Sequence, residues 1–390
     1  MKNIRTTLIV CLCFVFSLNA FASDKVKVGA DKLDVLLPLL ENKKVALVVN
    51  QTSCLSNGVH LLDTLISEGV TVTKIFAPEH GFRGNADAGE TVKDGKDVKT
   101  GLPIVSLYGS NKKPGKSLID DTDVIIFDIQ DVGARFYTYI STMHYIMESC
   151  AENGKECIVL DRPNPCDYVD GPMLEQKYKS FVGMHPIPLL HGLTVGELAK
   201  MINGEKWLSN GGECNLSVVT ADNWKHGQPY SLPIKPSPNL PNDQSIKLYP
   251  SLCFFEGTDI SVGRGTYFPF QVIGYPDPKF GDFTFMPKSL EGFDKKPVQQ
   301  DKLCYGLDLR NVEVTKGLDL EYLISFYKKS GLGTSFFKSP NHMDKLAGTN
   351  KLREQIIKGV SEKEIRDSWE ADLDKYKTIR KKYLLYSDNK

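Results

Sequence analysis

The sequence predicts an α/β protein, in which a Rossmann-like doubly wound parallel sheet is followed by a second, smaller α+β domain. Two observations predict this class. Short apolar runs alternate with segments of helical periodicity from about Lys32 to Cys214, which is typical of parallel strands joined by crossover helices. Prolines then punctuate the chain from about Asn210 to Pro250, so long regular elements cannot form there, and a domain boundary is predicted near Gly211.

The first domain, residues 23–210, contains the runs expected to form the sheet. About five strands are predicted, at Lys44 to Asn50, Val70 to Phe76, Pro103 to Tyr108, Asp123 to Ile129 and Glu156 to Leu160. Helical periodicity appears at Asp31 to Glu41, Val59 to Glu68, Arg135 to Asn153 and Thr194 to Asn203. In the last of these, Thr194 is the expected N-cap and Glu197 occupies the capping-box position.

The second domain, residues 211–390, is richer in aromatic residues and in Gly, Pro and Asp turns. Strands are predicted at Ser251 to Phe255, Thr266 to Gly274 and Leu303 to Val314. Helices are predicted at about Leu318 to Lys329 and Asn350 to Arg380.

The first 22 residues are predicted to be a secretory signal. Lys2 and Arg5 precede the apolar run Leu8 to Phe16, and Ala20-Phe21-Ala22 is a small-x-small cleavage site. Cleavage there leaves 390 − 22 = 368 residues, with no later run near the roughly 20 apolar residues of a membrane helix. The protein is therefore expected to be exported, as a periplasmic protein or, alternatively, as a lipid-anchored one.

Cysteine usage and charge exclude several classes of protein. Of the 9 cysteines, Cys11 and Cys13 lie in the signal, and the 9 − 2 = 7 that remain show no zinc spacing. They are expected to be buried thiols, with one disulfide as an alternative. The 48 basic and 48 acidic residues form no basic stripe, which argues against nucleic acid or an anionic membrane as the main partner.

The segment Ala77 to Gly84 is the first candidate for a functional loop. It follows a predicted strand and carries Glu79, His80 and Arg83 between a proline and two glycines. Proline lacks an N–H donor and glycine favours turns, so these side chains are expected to project from a loop. Loops at strand ends are where α/β proteins place their chemistry.

A second concentration of polar groups lies at a predicted junction between a strand and a helix. It contains Asp128, Gln130, Asp131, Arg135, Tyr137 and Tyr139. These are more polar groups than helix capping requires. One of the two aspartates is expected to cap the helix, and the other is a candidate site residue.

Smaller polar patches each have a structural alternative. Asn50 and Gln51 follow the first strand and can simply form a turn. Asp161-Arg162 is as consistent with an internal structural role as with a ligand contact. Asn239 projects from a proline-rich segment, and a glycine-rich loop that can equally be a hairpin carries Glu256, Asp259 and Arg264.

Several familiar motifs are absent or incomplete. Gly109 to Ser117 ends like a phosphate-binding loop, but five residues separate its glycines where the motif requires four. The sequence contains no GxGxxG, no GxSxG and no HExxH pattern. No cofactor, no metal and no nucleophilic serine are therefore predicted.

The remaining inventory of carboxylates, amides, arginines and tyrosines suits a carbohydrate substrate. A carboxylic acid can protonate the leaving oxygen of a glycosidic bond while a second carboxylate acts as base or nucleophile. Arginine suits a substrate that carries a carboxylate.

These patches, taken in order along the chain, resemble the NamZ-type exo-β-N-acetylmuramidases, a family long known only as a domain of unknown function. The resemblance extends through nearly the whole mature chain. It is carried by Asn50-Gln51-Thr52, Ala77 to Gly84, Phe127 to Tyr139, Asp161 to Pro165, Pro238 to Pro241, Glu256-Gly257-Thr258 and Gly263 to Thr266.

The resemblance implies release of N-acetylmuramic acid from the non-reducing end of peptidoglycan fragments, in a cleft between the two domains. It implies Glu79 as the catalytic acid. Asp128 is taken as the second catalytic carboxylate, with Asp131 and Glu256 as competitors. The substrate's lactyl carboxylate is expected to pair with an arginine, for which Arg83, Arg135 and Arg264 are the candidates.

The other residues predicted to bind substrate are Asn50, Gln51, His80, Gln130, Asp131, Tyr137, Tyr139, Asn239 and Glu256. The expected partner is a muropeptide or peptidoglycan saccharide, and the oligomeric state is left open. A periplasmic sugar-binding protein without catalysis is the main alternative function. A peptidase or esterase that acts on the same polymer is the second.

Overall fold

The computed structural model describes residues 25–79, 81–82, 94–109, 111–314 and 317–388. The predicted signal, residues 1–22, lies outside the described residues. Within them, no helix is both long and apolar enough to cross a bilayer.

The main sheet organises the N-terminal part of the chain. Among the described residues it has seven strands: β1 (Lys44–Val49), β2 (Thr71–Ala77), β3 (Gly95–Lys96), β4 (Pro103–Ser106), β5 (Val124–Asp128), β6 (Glu156–Leu160) and β9 (Asn215–Val219). Their order is β3-β4-β2-β1-β5-β6-β9, and every pair is parallel except β3 with β4. Strands are added outward on both sides of β1, so the fold is the predicted doubly wound one.

Helices and a small hairpin complete this part. The helices are α1 (Leu33–Leu40), α2 (Leu61–Ser67), α3 (Lys116–Ile119), α4 (Tyr139–Asn153) and α5 (Val195–Gly204), and β7 (Val169–Met173) pairs with β8 (Pro188–His191). The predicted cap of α5 is confirmed. Thr194 Oγ1 accepts the Glu197 N–H at 3.2 Å, and Glu197 Oε2 accepts the Thr194 N–H at 2.9 Å.

The main sheet is buried on both faces because its strands carry continuous apolar runs. Ala46 and Val48 of β1 belong to one apolar cluster, whereas Val45 and Leu47 belong to the cluster on the other face. Complete burial of a side chain of the Val or Leu class contributes about 1.5–3 kcal/mol. Alternate residues of these apolar strands point to opposite faces, and helices pack against both faces of the sheet.

The C-terminal part combines a small sheet with helices. An antiparallel sheet is formed by β10 (Val272–Tyr275), β12 (Cys304–Asp308) and β11 (Phe283–Phe285), in that order. The helices are α6 (Asp243–Leu252), α7 (Glu321–Ser330), α8 (Pro340–Ala347), α9 (Lys351–Ile357) and α10 (Glu362–Arg380).

One apolar cluster joins the two parts of the molecule. The ring centroid of Phe136 lies 5.1 Å from that of Tyr249 and 6.3 Å from that of Phe254. Strand β9, which follows the predicted boundary near Gly211, pairs with β6 in the main sheet. The N-terminal sheet thus extends beyond the segment that the sequence assigned to the first domain.

Two predictions for the C-terminal part are wrong. The run Ser251 to Phe255 ends α6 and continues as a 3-10 helix, Cys253–Gly257, rather than forming a strand. Periodicity cannot separate a short buried strand from a buried helix, and Phe254 and Phe255 are completely buried. The single helix predicted from Asn350 to Arg380 is two helices, because Gly359 adopts φ 74° and Ser361 caps α10.

The cysteines that the structure describes form no disulfide. All of them except Cys54 are buried. The prediction of buried thiols is confirmed for every described cysteine except Cys54, which is partly exposed.

A buried cluster of polar side chains ties the C-terminal tail to the main sheet. His226 Nδ1 lies 3.0 Å from Asp167 Oδ1, and His226 Nε2 lies 2.9 Å from Glu197 Oε1. The Leu385 N–H donates to Glu197 Oε1 at 2.8 Å, and the Tyr386 hydroxyl donates to Asp161 Oδ2 at 2.7 Å. Burial lowers the pKa of His226, but its bonds to the two carboxylates outweigh burial and raise the pKa to about 9.

Because of this cluster, we expect the free energy of unfolding to fall as the pH rises above neutral. The raised pKa of His226 means that its contribution is fully present below its ordinary pKa of 6.5 and is lost as the pH rises through about 9. Urea unfolding between pH 6.5 and 9.5 should show a falling free energy of unfolding in the wild type. His226→Gln should be less stable at pH 6.5 and nearly insensitive to pH over this range. An equal slope in both proteins would contradict the assignment.

Candidate active site

A cavity of about 140 Å³ lies where the carboxyl end of the main sheet meets the C-terminal part. Side chains from both parts of the chain line it. Those from the N-terminal part include Glu79, Phe136, Tyr137, Thr138 and Tyr139, and those from the C-terminal part include Asn239, Tyr249, Glu256, Arg264, Phe270 and His342. Six of these residues are predicted site residues: Glu79, Tyr137, Tyr139, Asn239, Glu256 and Arg264.

Glu79 enters the cavity from the turn after β2. Its Oε2 accepts a hydrogen bond from Thr138 Oγ1 at 3.0 Å, and its carboxylate also accepts one from the Tyr108 hydroxyl. The Tyr139 hydroxyl donates to the main-chain oxygen of Glu79 at 3.3 Å. The carboxylate is therefore held by hydroxyl donors from two segments, Tyr108 after β4 and Thr138 before α4.

The hydroxyls around Glu79 remain protonated at neutral pH. Burial and then the charge of Glu79 raise the pKa of Tyr108 to about 12. The same two causes raise the pKa of Tyr139, which is completely enclosed. Because they stay neutral, these tyrosines can donate hydrogen bonds to the glutamate or to a bound hydroxyl group.

The second carboxylate of the cavity is paired with an arginine. Glu256 comes from the 3-10 helix Cys253–Gly257, and its Oε1 lies 2.6 Å from Arg264 Nη2. The guanidinium carbon of Arg264 lies 5.1 Å from the centroid of the Phe270 ring. Burial raises the pKa of Glu256, but Arg264 and a hydrogen bond from His342 outweigh burial and lower it to about 2. Glu256 is therefore an anion at neutral pH and cannot serve as a proton donor.

The Glu256–Arg264 pair predicts a stability difference that depends on pH. A depressed pKa contributes stability above the ordinary value of 4.5, and this contribution is lost as the pH falls through about 2. Glu256→Gln should therefore be less stable than the wild type at pH 7, and the gap should narrow below pH 4.5. Urea unfolding at pH 7, 4.5 and 3 measures the difference in the free energy of unfolding between the variant and the wild type. The exposed control Glu41→Gln should show no such convergence, and a gap independent of pH would refute the assignment.

Asp128, the predicted second catalytic carboxylate, does not line the cavity. It is completely buried at the end of β5, and Arg162 holds both of its oxygens, with Nε–Oδ1 2.6 Å and Nη2–Oδ2 2.9 Å. Both carboxylate oxygens are thus occupied by an internal partner. This placement speaks against a catalytic role for Asp128. It supports the structural alternative for Arg162, although the side chain that Arg162 pairs with is Asp128 rather than Asp161.

Three of the predicted substrate-binding residues make hydrogen bonds to main-chain groups of the loops that follow the strands. Asn50 Oδ1 accepts the Thr52 N–H at 2.9 Å, and Gln130 Nε2 donates to the Pro163 carbonyl at 2.8 Å. Asp131 Oδ2 accepts the Gly133 N–H at 2.6 Å and so holds a turn, well before α4 begins. None of the three lines the described cavity. The contact of Asn50 supports the turn alternative. The prediction that Asp128 or Asp131 caps α4 is wrong, because the helix begins only at Tyr139, with Thr138 at the N-cap position.

Gln51 connects the two parts of the chain. Its Nε2 donates to the carbonyls of Lys235 and Pro236, at 3.2 and 3.1 Å. The Tyr137 hydroxyl also donates to the Pro236 carbonyl, at 2.8 Å. Gln51 therefore positions the segment that carries Asn239 rather than lining the cavity itself.

Arg135 is also withdrawn from the cavity. It is completely buried and donates to the carbonyls of Pro172, Ile187 and Leu346, at 2.9, 2.7 and 3.2 Å. Burial lowers its pKa to about 9. Because main-chain oxygens use its guanidinium, Arg135 is a poor candidate for binding a substrate carboxylate.

His80 and Arg83 lie outside the described residues, so their predicted roles stay predictions. Other cavity residues were not predicted from the sequence, including Thr138, Tyr249, Phe270 and His342. Thr138 lies between Tyr137 and Tyr139, which are both predicted site residues, and this position in the sequence could have identified it. His342 lies on α8, far along the chain from any polar patch, and only folding brings it to Glu256.

The cavity has the composition of a site for carbohydrate chemistry. It combines a glutamate held by neutral hydroxyls, a carboxylate that is ionised at neutral pH and paired with arginine, and aromatic walls. Among the described residues, no group of three or more His, Cys, Asp or Glu is arranged to hold a metal ion. On a Rossmann-like sheet, a pair of carboxylates in an enclosed cavity is an arrangement suited to a glycoside hydrolase.

Comparison with known families agrees with this class. Residues 45–244 match the N-terminal model of the family described as exo-beta-N-acetylmuramidase NamZ, and residues 247–386 match its C-terminal model. The chain belongs to this family and is a glycoside hydrolase. The two models meet between residues 244 and 247, after β9 has completed the main sheet.

Individual relatives give the same result. The chain is 39% identical to the peptidoglycan beta-N-acetylmuramidase NamZ of Bacillus subtilis (strain 168), over 93% of this chain and 92% of that protein. Crystal structures of two DUF1343 family proteins of Bacteroides fragilis NCTC 9343 are also similar. The first has a TM-score of 0.86 and 46% identity, over 94% of this chain and 100% of the other. The second has a TM-score of 0.80 and 31% identity, over 93% and 99%.

Proposed function

We propose that this protein is an exo-acting muramidase that releases N-acetylmuramic acid from the non-reducing end of peptidoglycan-derived saccharides. The observation that carries the proposal is the cavity that holds Glu79 together with the Glu256–Arg264 pair. The family description, exo-beta-N-acetylmuramidase, supports cleavage of a terminal sugar. The activity by which the Bacillus subtilis relative is named supports the substrate class.

In the proposed reaction Glu79 is the general acid. In its protonated form it gives its proton to the glycosidic oxygen as the bond from that oxygen to C1 breaks. Water then supplies the hydroxyl group that C1 finally carries, and the remaining proton of the water restores the acid. The donors Thr138 and Tyr108 hold the carboxyl group in position. Proton donation of this kind contributes about 10²–10⁴-fold to the rate.

Glu256 takes a different role because it stays ionised. A carboxylate with a pKa of about 2 can stabilise positive charge that develops on the sugar ring, or orient the 2-acetamido group so that its carbonyl oxygen attacks C1. Glu256 therefore replaces Asp128 as the proposed second catalytic carboxylate.

Arg264 is the proposed partner of the lactyl carboxylate of the substrate. It lines the cavity and uses Nη2 for Glu256, and a guanidinium group carries five N–H donors in all. Arg135 is buried elsewhere among carbonyls, which favours Arg264 between these two candidates. We also propose export to the periplasm, on the strength of the signal-like residues 1–22.

Two substrates that differ only in the lactyl group test the proposal. The protein is incubated with para-nitrophenyl β-N-acetylmuramide and with the matching β-N-acetylglucosaminide. Release of nitrophenol from the muramide alone is the expected result. Tight binding of the muramide without turnover would instead identify a sugar-binding protein, and equal hydrolysis of both would reject the assigned specificity.

A further inference from the structure

An exposed tyrosine stands beside the cavity without a role in the proposed reaction. Tyr267 exposes 76% of its surface. It nevertheless lies on the same loop as two cavity residues, three positions after Arg264 and three before Phe270. The loop therefore presents one side chain to the cavity and another, close by, to solvent.

Tyr267 contacts a second aromatic ring, which in turn has a lysine close to it. Its ring centroid lies 6.1 Å from that of Phe293, with the two planes perpendicular at 90°. Lys235 Nζ lies 5.7 Å from the centroid of the Phe293 ring. We call Tyr267, Phe293 and Lys235 the aromatic rim.

Side-chain amides hold the main chain of the aromatic rim, and one of them belongs to a cavity residue. Asn239, a cavity residue, donates from Nδ2 to the Phe293 carbonyl at 2.9 Å. Gln51 Nε2 donates to the Lys235 carbonyl at 3.2 Å. These contacts fix the rim relative to the cavity, so a ligand that leaves the cavity meets a defined surface.

The occupant of this surface follows from the geometry of exo-cleavage. In the proposed exo-cleavage only the terminal sugar occupies the cavity, so the remainder of the substrate lies outside it. One face of a pyranose ring presents C–H groups, which pack well on an aromatic ring, while its hydroxyls can accept from an ammonium group. Tyr267 and Lys235, which both lie against Phe293, offer this combination.

We propose that the aromatic rim is the binding subsite for the leaving-group sugar, the one directly attached to the residue that is released. This inference rests on the proposed muramidase function. The subsite contacts neither the broken bond nor the acid, and it acts by holding the substrate. Its loss should therefore raise KM and leave kcat nearly unchanged.

The test compares two substrates that share the enclosed sugar and differ in the leaving group. The first is the disaccharide in which N-acetylmuramic acid is β-1,4-linked to N-acetylglucosamine, and the second is β-N-acetylmuramyl fluoride, whose leaving group is a single atom. Tyr267→Ala should raise KM for the disaccharide about fivefold, the effect of one aromatic contact. Hydrolysis of the fluoride should be unchanged.

Two further variants sharpen the test. Tyr267→Trp keeps an aromatic face and should restore KM for the disaccharide. Leu332→Ala removes another exposed apolar side chain, one that does not line the cavity, and should leave both substrates unaffected.

The outcomes separate the subsite from the proposed function. Equal losses on both substrates, or no change on either, would overturn the subsite while the wild-type enzyme still hydrolyses both. If the wild type hydrolyses neither substrate, the proposed function fails, and the subsite that rests on it fails as well.

Discussion

Replacing Glu79 by Gln should reduce hydrolysis of the natural disaccharide by about 10²–10⁴-fold, the contribution of a positioned general acid. Glutamine is nearly isosteric, and its amide oxygen can still accept the Thr138 hydroxyl that bonds Glu79 at 3.0 Å. The fold and the affinity for the muramyl sugar should therefore be retained. Thermal unfolding and calorimetric titration with N-acetylmuramic acid check both expectations.

The leaving group distinguishes acid catalysis from a general loss of activity. Nitrophenol departs readily as an anion and needs little help from a proton, whereas a sugar hydroxyl needs a full proton transfer. Glu79→Gln should therefore lose much less activity on the nitrophenyl muramide than on the disaccharide. The control Glu41→Gln makes the same chemical change at an exposed position outside the cavity, and it should behave as the wild type. Equal losses on the two substrates would show that Glu79 is not the acid.

Replacing Asp128 by Asn should lower the free energy of unfolding by about 3–5 kcal/mol, the usual cost of leaving one member of a buried ion pair without its partner. Asp128 is completely buried, and its carboxylate is held at both oxygens by Arg162. Urea unfolding at pH 7 measures the loss. The activity per folded molecule should stay within a few-fold of the wild type, because the side chain does not line the cavity.

The chain contains a matched control for this prediction. Arg310 forms the same bidentate ion pair with Asp308, with Nε–Oδ1 2.8 Å and Nη2–Oδ2 2.6 Å, but this pair lies at the surface. Asp308→Asn should cost at most about 1 kcal/mol, since exposed ion pairs contribute little. The double variant Asp128→Asn/Arg162→Met should recover part of the stability lost by Asp128→Asn, because it removes the uncompensated buried charge. A catalytic Asp128 would instead show a large loss of activity in a stable protein.

Most of the main sheet was predictable because its strands are short apolar runs bounded by polar turns. Strand β5, predicted at Asp123 to Ile129, spans Val124–Asp128, and the capping box at Thr194 is present as predicted. Predictions were wrong where apolar runs gave no distinguishing signal. The run at Ser251 is helical because packing in the core decides its conformation, which local periodicity does not reveal.

For the candidate site, the sequence by itself identified which segments are unusual. Glu79, Tyr137, Tyr139, Asn239, Glu256 and Arg264 were all recognised as polar groups placed in loops and at element ends, and all six line one cavity. This was possible because local composition marks a turn or a loop wherever proline, glycine and polar residues interrupt an apolar pattern.

Only the tertiary structure decided which of those groups lie together in the cavity. Asp128 and Glu256 are both carboxylates in suggestive motifs, yet Asp128 is paired with Arg162 inside the sheet while Glu256 faces the cavity beside Arg264. The pairing of a charge depends on neighbours that are distant in sequence, and burial makes that pairing obligatory. The sequence by itself therefore determined the α/β class and the polar loops, whereas long-range packing decided which carboxylates are paired inside the protein and which line the cavity.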